Sequence, residues 1–169
     1  MKKGILIPAG NVVYSIQNYT TAPALPGGTK GEQPTMSMER TYVMLKPDAL
    51  QRGIAGEVIA RIERKGYRVV ALKTMQLDEP ILREHYAHIA DKPFFPETVA
   101  YMTSGPVVAM IVEGESAIQG VRMLMGPTAF EKAAPGTIRG DFAASTTFNV
   151  IHGSDSPEAA ETEIKRFFG

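Results

Sequence analysis

The sequence predicts a mixed α/β domain built on one sheet, in which strands and helices alternate as β-α-β-α-β-α-β-α, with an extra helix between the second and third strands. Three observations carry this. Strand-length apolar runs recur at residues 41–45, 67–72, 106–112 and 149–152, apolar residues at helical spacing lie between them, and Gly, Pro and capping residues punctuate the joins. Such alternation folds either as a parallel doubly wound sheet or as a split βαβ, ferredoxin-like sheet with helices on one face. The pattern by itself leaves both open.

Thr41-Tyr-Val-Met-Leu45 reads as a buried strand, and Val58, Ile59 and Ile62 then repeat at helical spacing until Lys65-Gly66 supplies a stop. Residues 67–72 form the second strand. Asp78-Glu-Pro80 caps a helix whose Leu82, Tyr86 and Ile89 share a face, and residues 94–102 make the extra helix. Residues 106–112 are continuously apolar, as in a strand covered on both faces, and a helix follows over 116–124. A Gly- and Pro-rich loop spans 126–140. Asn149-Val-Ile-His152 is the last strand, and Ser156-Pro157-Glu158 opens the closing helix with serine as cap and proline in the first turn.

Ahead of all this, residues 1–37 carry Pro8, Pro23, Pro26, Pro34 and a glycine cluster with no sustained period. They read as a flexible leader, a cloning-derived segment or a misread start, with one short strand-like run from Val12 to Ile16, and the domain proper is 38–169. At 169 residues and 44% hydrophobic content the chain has enough material for one core. Lys plus Arg and Asp plus Glu balance at 18 each, so no net field attracts nucleic acid or an anionic membrane, and any anion site must be local. Cysteine is absent, which removes disulfides, thiol nucleophiles and thiolate metal sites. No apolar run approaches the roughly 20 residues of a membrane helix, and Pro8 and Gly10 interrupt the first apolar stretch, so the expected location is the cytoplasm.

Histidine is then the scarce reactive residue. His152 stands at a strand end beside Gly153, where other groups can approach the backbone closely; a hydrogen-bonded core histidine is the plain alternative. Ser154, Asp155 and Ser156 lead into a helix N-terminus, an anion site by its free N–H groups, at which Asp155 can hold hydrated Mg²⁺ or simply cap the helix. Glu163 lies on the apolar stripe of the closing helix with Ala160, Ile164 and Phe167, facing either an imidazole N–H or, at the stripe margin, solvent. Lys46-Pro-Asp48 ends the first strand, where α/β ligands commonly sit, although a solvated lysine and a capping aspartate account for the same residues. Arg122, Thr128 and Arg139 flank or occupy the Gly/Pro loop and can clamp a polyphosphate; surface salt bridges are the alternative. His85 and His88, three apart, lack a third ligand at metal spacing and read as a solvated pair. No G-x-x-x-x-G-K-[ST], kinase glycine loop or H-E-x-x-H occurs.

Taken together, Lys46-Pro-Asp, Tyr86, Pro93-Phe-Phe95, Ser104-Gly-Pro106, Pro135-Gly-Thr-Ile-Arg-Gly-Asp141 and Asn149-Val-Ile-His-Gly-Ser-Asp-Ser156 resemble nucleoside diphosphate kinase without gaps from about residue 38 to 169. The resemblance implies a ferredoxin-like αβ sandwich, a four-stranded antiparallel sheet with helices packed on it. It implies Mg²⁺-dependent ping-pong transfer of the γ-phosphoryl from ATP to nucleoside diphosphates through a phosphohistidine on His152. By motif position Lys46, Tyr86, Arg122, Thr128, Arg139 and Asn149 hold phosphates and ribose, Phe94 stacks on the base, Glu163 orients His152, and Asp155 meets the metal through water. A homo-oligomer, tetramer or hexamer, is implied, with no requirement for nucleic acid or membrane. Two positions depart from the pattern: Ala129-Phe130 replace the usual Asn-Pro after the loop threonine, and Thr146 replaces an apolar residue on the far wall of the base pocket.

The chemistry is consistent from below. Exchange of a phosphoryl group between two nucleotide anhydrides is nearly thermoneutral and needs an intermediate of similar transfer potential, which a phosphoramidate supplies and a serine ester does not.

Overall fold

The computed structural model describes residues 38–169; the expected leader and its Val12–Ile16 strand lie outside the described residues. Four strands, β1 (Met38–Leu45), β2 (Arg68–Met75), β3 (Val107–Glu115) and β4 (Ile151–Gly153), form one sheet in the order β2-β3-β1-β4 with every pairing antiparallel. That arrangement decides between the two sheets left open by pattern, in favour of the split βαβ form. Between the strands lie α1 (Pro47–Gln51), α2 (Ala55–Arg64), α3 (Glu79–His85), α4 (Phe95–Met102), α5 (Ala117–Met125), α6 (Ile138–Phe142) and α7 (Pro157–Phe168).

Helices cover both faces of the sheet, in keeping with the unbroken apolar run over 106–112, although the split βαβ alternative carries them on one. Val43, Leu45, Val108, Met110 and Val112 pack with Val58, Ile62, Val121 and Met125 of α2 and α5. Their alternate neighbours Tyr42, Met44, Val107 and Ala109 pack with Leu82, Phe95, Met102 and Phe167 of α3, α4 and α7. Because side chains alternate across a strand, a sheet covered twice needs unbroken apolar runs, and this is why β1 and β3 lack polar alternation. Phe167 stacks on Tyr42 with ring centroids 4.6 Å apart and planes 7° from parallel. Burying that ring contributes about 2–3 kcal/mol to the docking of α7.

Several boundaries differ from expectation for local reasons. β2 continues to Met75 because its pairing with β3 runs as far as Val107, and β3 continues to Glu115 because its pairing with β1 runs out to Met38. α3 stops at His85, leaving Tyr86 as its C-cap and Ile89 in a turn. The loop over 126–140 contains a short 3₁₀ turn at Phe130–Lys132 and the start of α6, capped by Thr137. The Lys46-Pro-Asp turn opens a separate helix, α1, in which Asp48 is not the cap; its Oδ1 accepts a hydrogen bond from the Tyr101 hydroxyl at 2.5 Å. The closing helix follows expectation, with Ser156 Oγ accepting from Ala159 N and proline in the first turn. Among the described residues no helix is long and apolar enough to cross a membrane.

Candidate active site

Met44 of β1 pairs with His152 of β4, so both side chains leave the sheet on the same face, toward α3, α4 and α7. Gly153, next along, faces α5 instead. A Cβ there would stand 2.7 Å from Met125 Sδ, so the glycine is what lets β4 lie flush under α5 with His152 turned to the other side. Just before β4 the chain makes a tight γ-turn: Ile151 N donates to Asn149 O at 2.7 Å across Val150, whose φ is 71°. A β-branched residue at positive φ costs about 1–3 kcal/mol. The turn delivers Asn149 and His152 to the same cleft from positions three apart.

That cleft, of about 790 Å³, is lined by Lys46, Tyr86, Phe94, Arg122, Thr128, Arg139, Asn149, His152, Asp155 and Glu163 among others. Every residue to which the family resemblance gives a role therefore reaches one cavity. The differences lie in how each is held.

Glu163 is 8% exposed, which removes the solvent-facing alternative. Its Oε1 lies 2.8 Å from His152 Nε2, and its Oε2 accepts from Ser154 Oγ at 2.6 Å. Burial alone would raise its carboxyl, but the hydrogen bond and charge of His152, with help from Ser154, hold it below the usual glutamate range. It is a carboxylate aimed at an imidazole N–H, and Nδ1 is the ring nitrogen that remains free. Ser154 bonds to the carboxylate and not to the imidazole, so no serine-type nucleophilic triad is formed.

Lys46 donates from Nζ to Asn149 Oδ1 at 2.6 Å, and Asn149 Nδ2 donates to Thr146 O at 2.7 Å. Burial, together with the neighbouring Arg139, lowers the Lys46 ammonium to about 8. Arg139 pairs with no carboxylate among the described residues. Its Nη1 donates to Gly126 O at 2.9 Å and Thr128 Oγ1 at 3.4 Å, its Nη2 to Ile151 O at 2.8 Å, and burial beside Arg122 brings its guanidinium down to about 10. Three positive groups are thus held close together, none of them in an ion pair among the described residues, an arrangement that favours a polyanionic ligand. Arg122 and Thr128 are exposed at the rim. Tyr86 is pushed up by burial and by the Glu163 charge, so its hydroxyl stays protonated and can donate. Phe94, 52% exposed, and Thr146, also exposed, line the cleft where it opens to solvent. Asp155 is exposed, lines the cleft and forms no ion pair among the described residues; Ser156, not Asp155, caps α7.

His85 contradicts expectation. It is buried, with His88 exposed, and its ring stands edge-on to that of His152 at 4.6 Å between centroids. Burial, with His152 beside it, lowers His85 to about 3, so it is neutral. Its spacing of three from Leu82, which anchors the buried face of α3, is the signal that placed it inward. Tyr101, which ties α4 to Asp48 of α1, had no such signal.

Clustered cations around a carboxylate-backed imidazole, at the end of a split βαβ sheet, define a phosphotransferase that works on polyphosphates. Comparison with known proteins makes this particular. The sequence profile of the family described as Nucleoside diphosphate kinase matches residues 39–169. The chain is 54% identical over 132 residues to a nucleoside diphosphate kinase of Symbiobacterium thermophilum, covering 78% of this chain and 88% of that one. It is 56% identical over 131 residues to one of Archaeoglobus fulgidus, covering 78% and 87%. A solved nucleoside diphosphate kinase from Halobacterium salinarum in complex with CDP superimposes with a TM-score of 0.75 at 51% identity, covering 78% of this chain and 88% of that one. The chain belongs to the nucleoside diphosphate kinase family. It is a phosphotransferase that moves phosphate from a nucleoside triphosphate to a nucleoside diphosphate by way of a histidine.

Proposed function

We propose that His152 is the histidine that carries the phosphoryl group, and that it does so through Nδ1. The observation that carries the reading is the 2.8 Å contact between His152 Nε2 and the buried Glu163 carboxylate. With Nε2 holding its proton toward Glu163, the Nδ1 lone pair attacks the γ-phosphorus, the bond from phosphorus to the bridging oxygen breaks, and the nucleoside diphosphate leaves. A second nucleoside diphosphate reverses the step. As Nδ1 bonds to phosphorus the ring becomes positive, and Glu163 then stabilises it more than it stabilises the resting imidazole.

Arg139, Arg122 and Lys46 meet the charge on the transferring oxygens, with Thr128, Asn149 and Tyr86 placing the phosphates and ribose. Arg139 arrives already anchored to two carbonyls, so little reorganisation is needed when substrate binds. Phe94 offers a π-face to the base, which reads shape and little else, so many bases are accepted. Asp155, a free carboxylate at the cleft rim, suits Mg²⁺ held through water. The metal, when bound, neutralises phosphate oxygens. ATP and other nucleoside tri- and diphosphates are the substrates. The kinase unit is residues 38–169, a reading supported by the family match from residue 39. We further propose a homo-oligomer, tetramer or hexamer, in the cytoplasm; the outer edge of β2 and the exposed Met123 and Phe130 offer surfaces for assembly.

Incubation of the wild-type protein with γ-labelled ATP and Mg²⁺ should give an acid-labile, base-stable adduct that ADP discharges. His152→Ala should give none. Equal labelling of the two would remove His152 from the mechanism.

A further inference from the structure

Three ligand-type side chains from three different elements converge on the floor of the cleft. His85 ends α3, His152 sits in β4 and Glu163 in α7, and one ligand atom of each lies within 4.8 Å of the other two. Glu163 Oε1 is 2.8 Å from His152 Nε2 and 3.6 Å from His85 Nδ1. Around a tetrahedral ion with bonds of about 2.0–2.1 Å, ligand atoms stand roughly 3.3–3.5 Å apart, a spacing these two distances bracket. His85 is the residue that calls for a ligand. Its side chain is 1% exposed, and among the described residues neither ring nitrogen has a hydrogen-bond partner. Buried polar atoms are normally paired, and nothing in the phosphoryl transfer uses these two.

We infer that His85, His152 and Glu163 form a binding site for a divalent transition metal of the zinc class, and that filling it silences the enzyme. Two imidazoles and a carboxylate suit zinc, whereas Mg²⁺ prefers a shell of oxygens and does not compete for them. Ser154 Oγ already holds Glu163 Oε2, which leaves Oε1 for the metal and orients the carboxylate from outside, as the partners of metal ligands do. His152 is 22% exposed toward the cleft, so the ion has a way in and its fourth position opens to solvent. On binding, the proton held between Nε2 and Oε1 is released to water as the nitrogen–metal bond forms. Glu163 is then no longer available to stabilise a positive ring, and Nδ1 loses its nucleophilicity. This silencing rests on the reading of His152 as the phosphoryl acceptor; the binding of zinc does not.

The test uses the full chain, whose histidines number three and whose cysteines number zero, so competing soft ligands are few. Calorimetric titration with zinc chloride in chelator-cleared buffer should show one zinc per chain. His85→Phe keeps an aromatic ring and gives up no hydrogen bond, and it should weaken uptake by at least about tenfold, while His88→Asn changes it little. Zinc-edge X-ray absorption of the wild-type complex should report two imidazole nitrogens and one carboxylate oxygen, a reading that stands even if a variant fails to fold. Zinc should slow labelling of the wild type by γ-labelled ATP, and His85→Phe should label normally and escape the slowing. No uptake by the wild type, equal uptake by His85→Phe, or fewer than two imidazoles in the spectrum would overturn the site. Uptake as expected without slower labelling would overturn the silencing. Absence of any His152 label in zinc-free buffer containing Mg²⁺ would instead count against the phosphoryl acceptor.

Discussion

The two ends of the cleft are built differently. At one end Lys46, Arg139, Asn149 and Glu163 are buried or half-buried, and each is fixed by at least one hydrogen bond of 2.6 to 2.9 Å. At the solvent-open side Phe94 and Thr146 stand exposed. Chemistry that must meet developing charge on phosphorus needs donors already in place, because reorganising them would raise the barrier. Base recognition needs only a surface to stack on. The molecule spends its desolvation and backbone strain, at Val150 above all, on the phosphate end and leaves the base end soft.

That contrast orders the effects of substitution. Arg139→Ala removes a pre-anchored guanidinium from the phosphate end and should lower kcat/KM by about 10²–10³-fold in steady-state kinetics. A loss under fivefold would mean the anchoring has no catalytic purpose. Glu163→Gln keeps shape and hydrogen bonding but not charge; single-turnover stopped flow should show phosphorylation slowed by about 10–100-fold, equivalent to about 1.4–2.8 kcal/mol, with nucleotide affinity little changed. Were affinity to fall instead of rate, Glu163 would be organising the cleft and not the imidazole.

A pH experiment probes the same end. Lys46 titrates near 8 in the free protein because burial and Arg139 disfavour its charge. It is protonated below that pH and neutral above it, so ADP affinity should fall as pH rises through 8, by up to about tenfold per unit. Lys46→Arg, which does not titrate in this range, should flatten the profile. The smallest effect belongs to the soft end: Phe94→Ala should weaken ADP binding by only about fivefold, near 1 kcal/mol, and almost equally for purine and pyrimidine nucleotides. A strong preference emerging among bases would show that the open end reads more than a π-face.

The division between the two ends also marks what the sequence could reveal. The strands and most helices were legible because β1, β3 and α7 repeat apolar residues at the periods their packing demands. Glu163 stood out as a carboxylate on an apolar stripe. Helices on both faces were foreshadowed by the unbroken run of β3, yet alternation of elements alone does not say which face each crossover takes. His85 was misplaced because its nearest histidine in sequence, His88, suggested a pair, whereas its partners in space come from β4 and α7. Asp48 was hidden for the same reason: Tyr101, its hydrogen-bond donor, is 53 residues away. Likeness to a family brought Tyr86 and Phe94 into the site, where local spacing could not, and gave His85 and Asp48 no role there.

The central claim is that the buried end of the cleft fixes which nitrogen of His152 attacks. Glu163 occupies Nε2, so the phosphoryl must reside on Nδ1. Two-dimensional ¹H–³¹P NMR on the purified phosphoenzyme distinguishes the two isomers through coupling of phosphorus to the ring protons. The account predicts one adduct, on Nδ1 of His152. Phosphorus bonded to Nε2, or to any other residue, would contradict it.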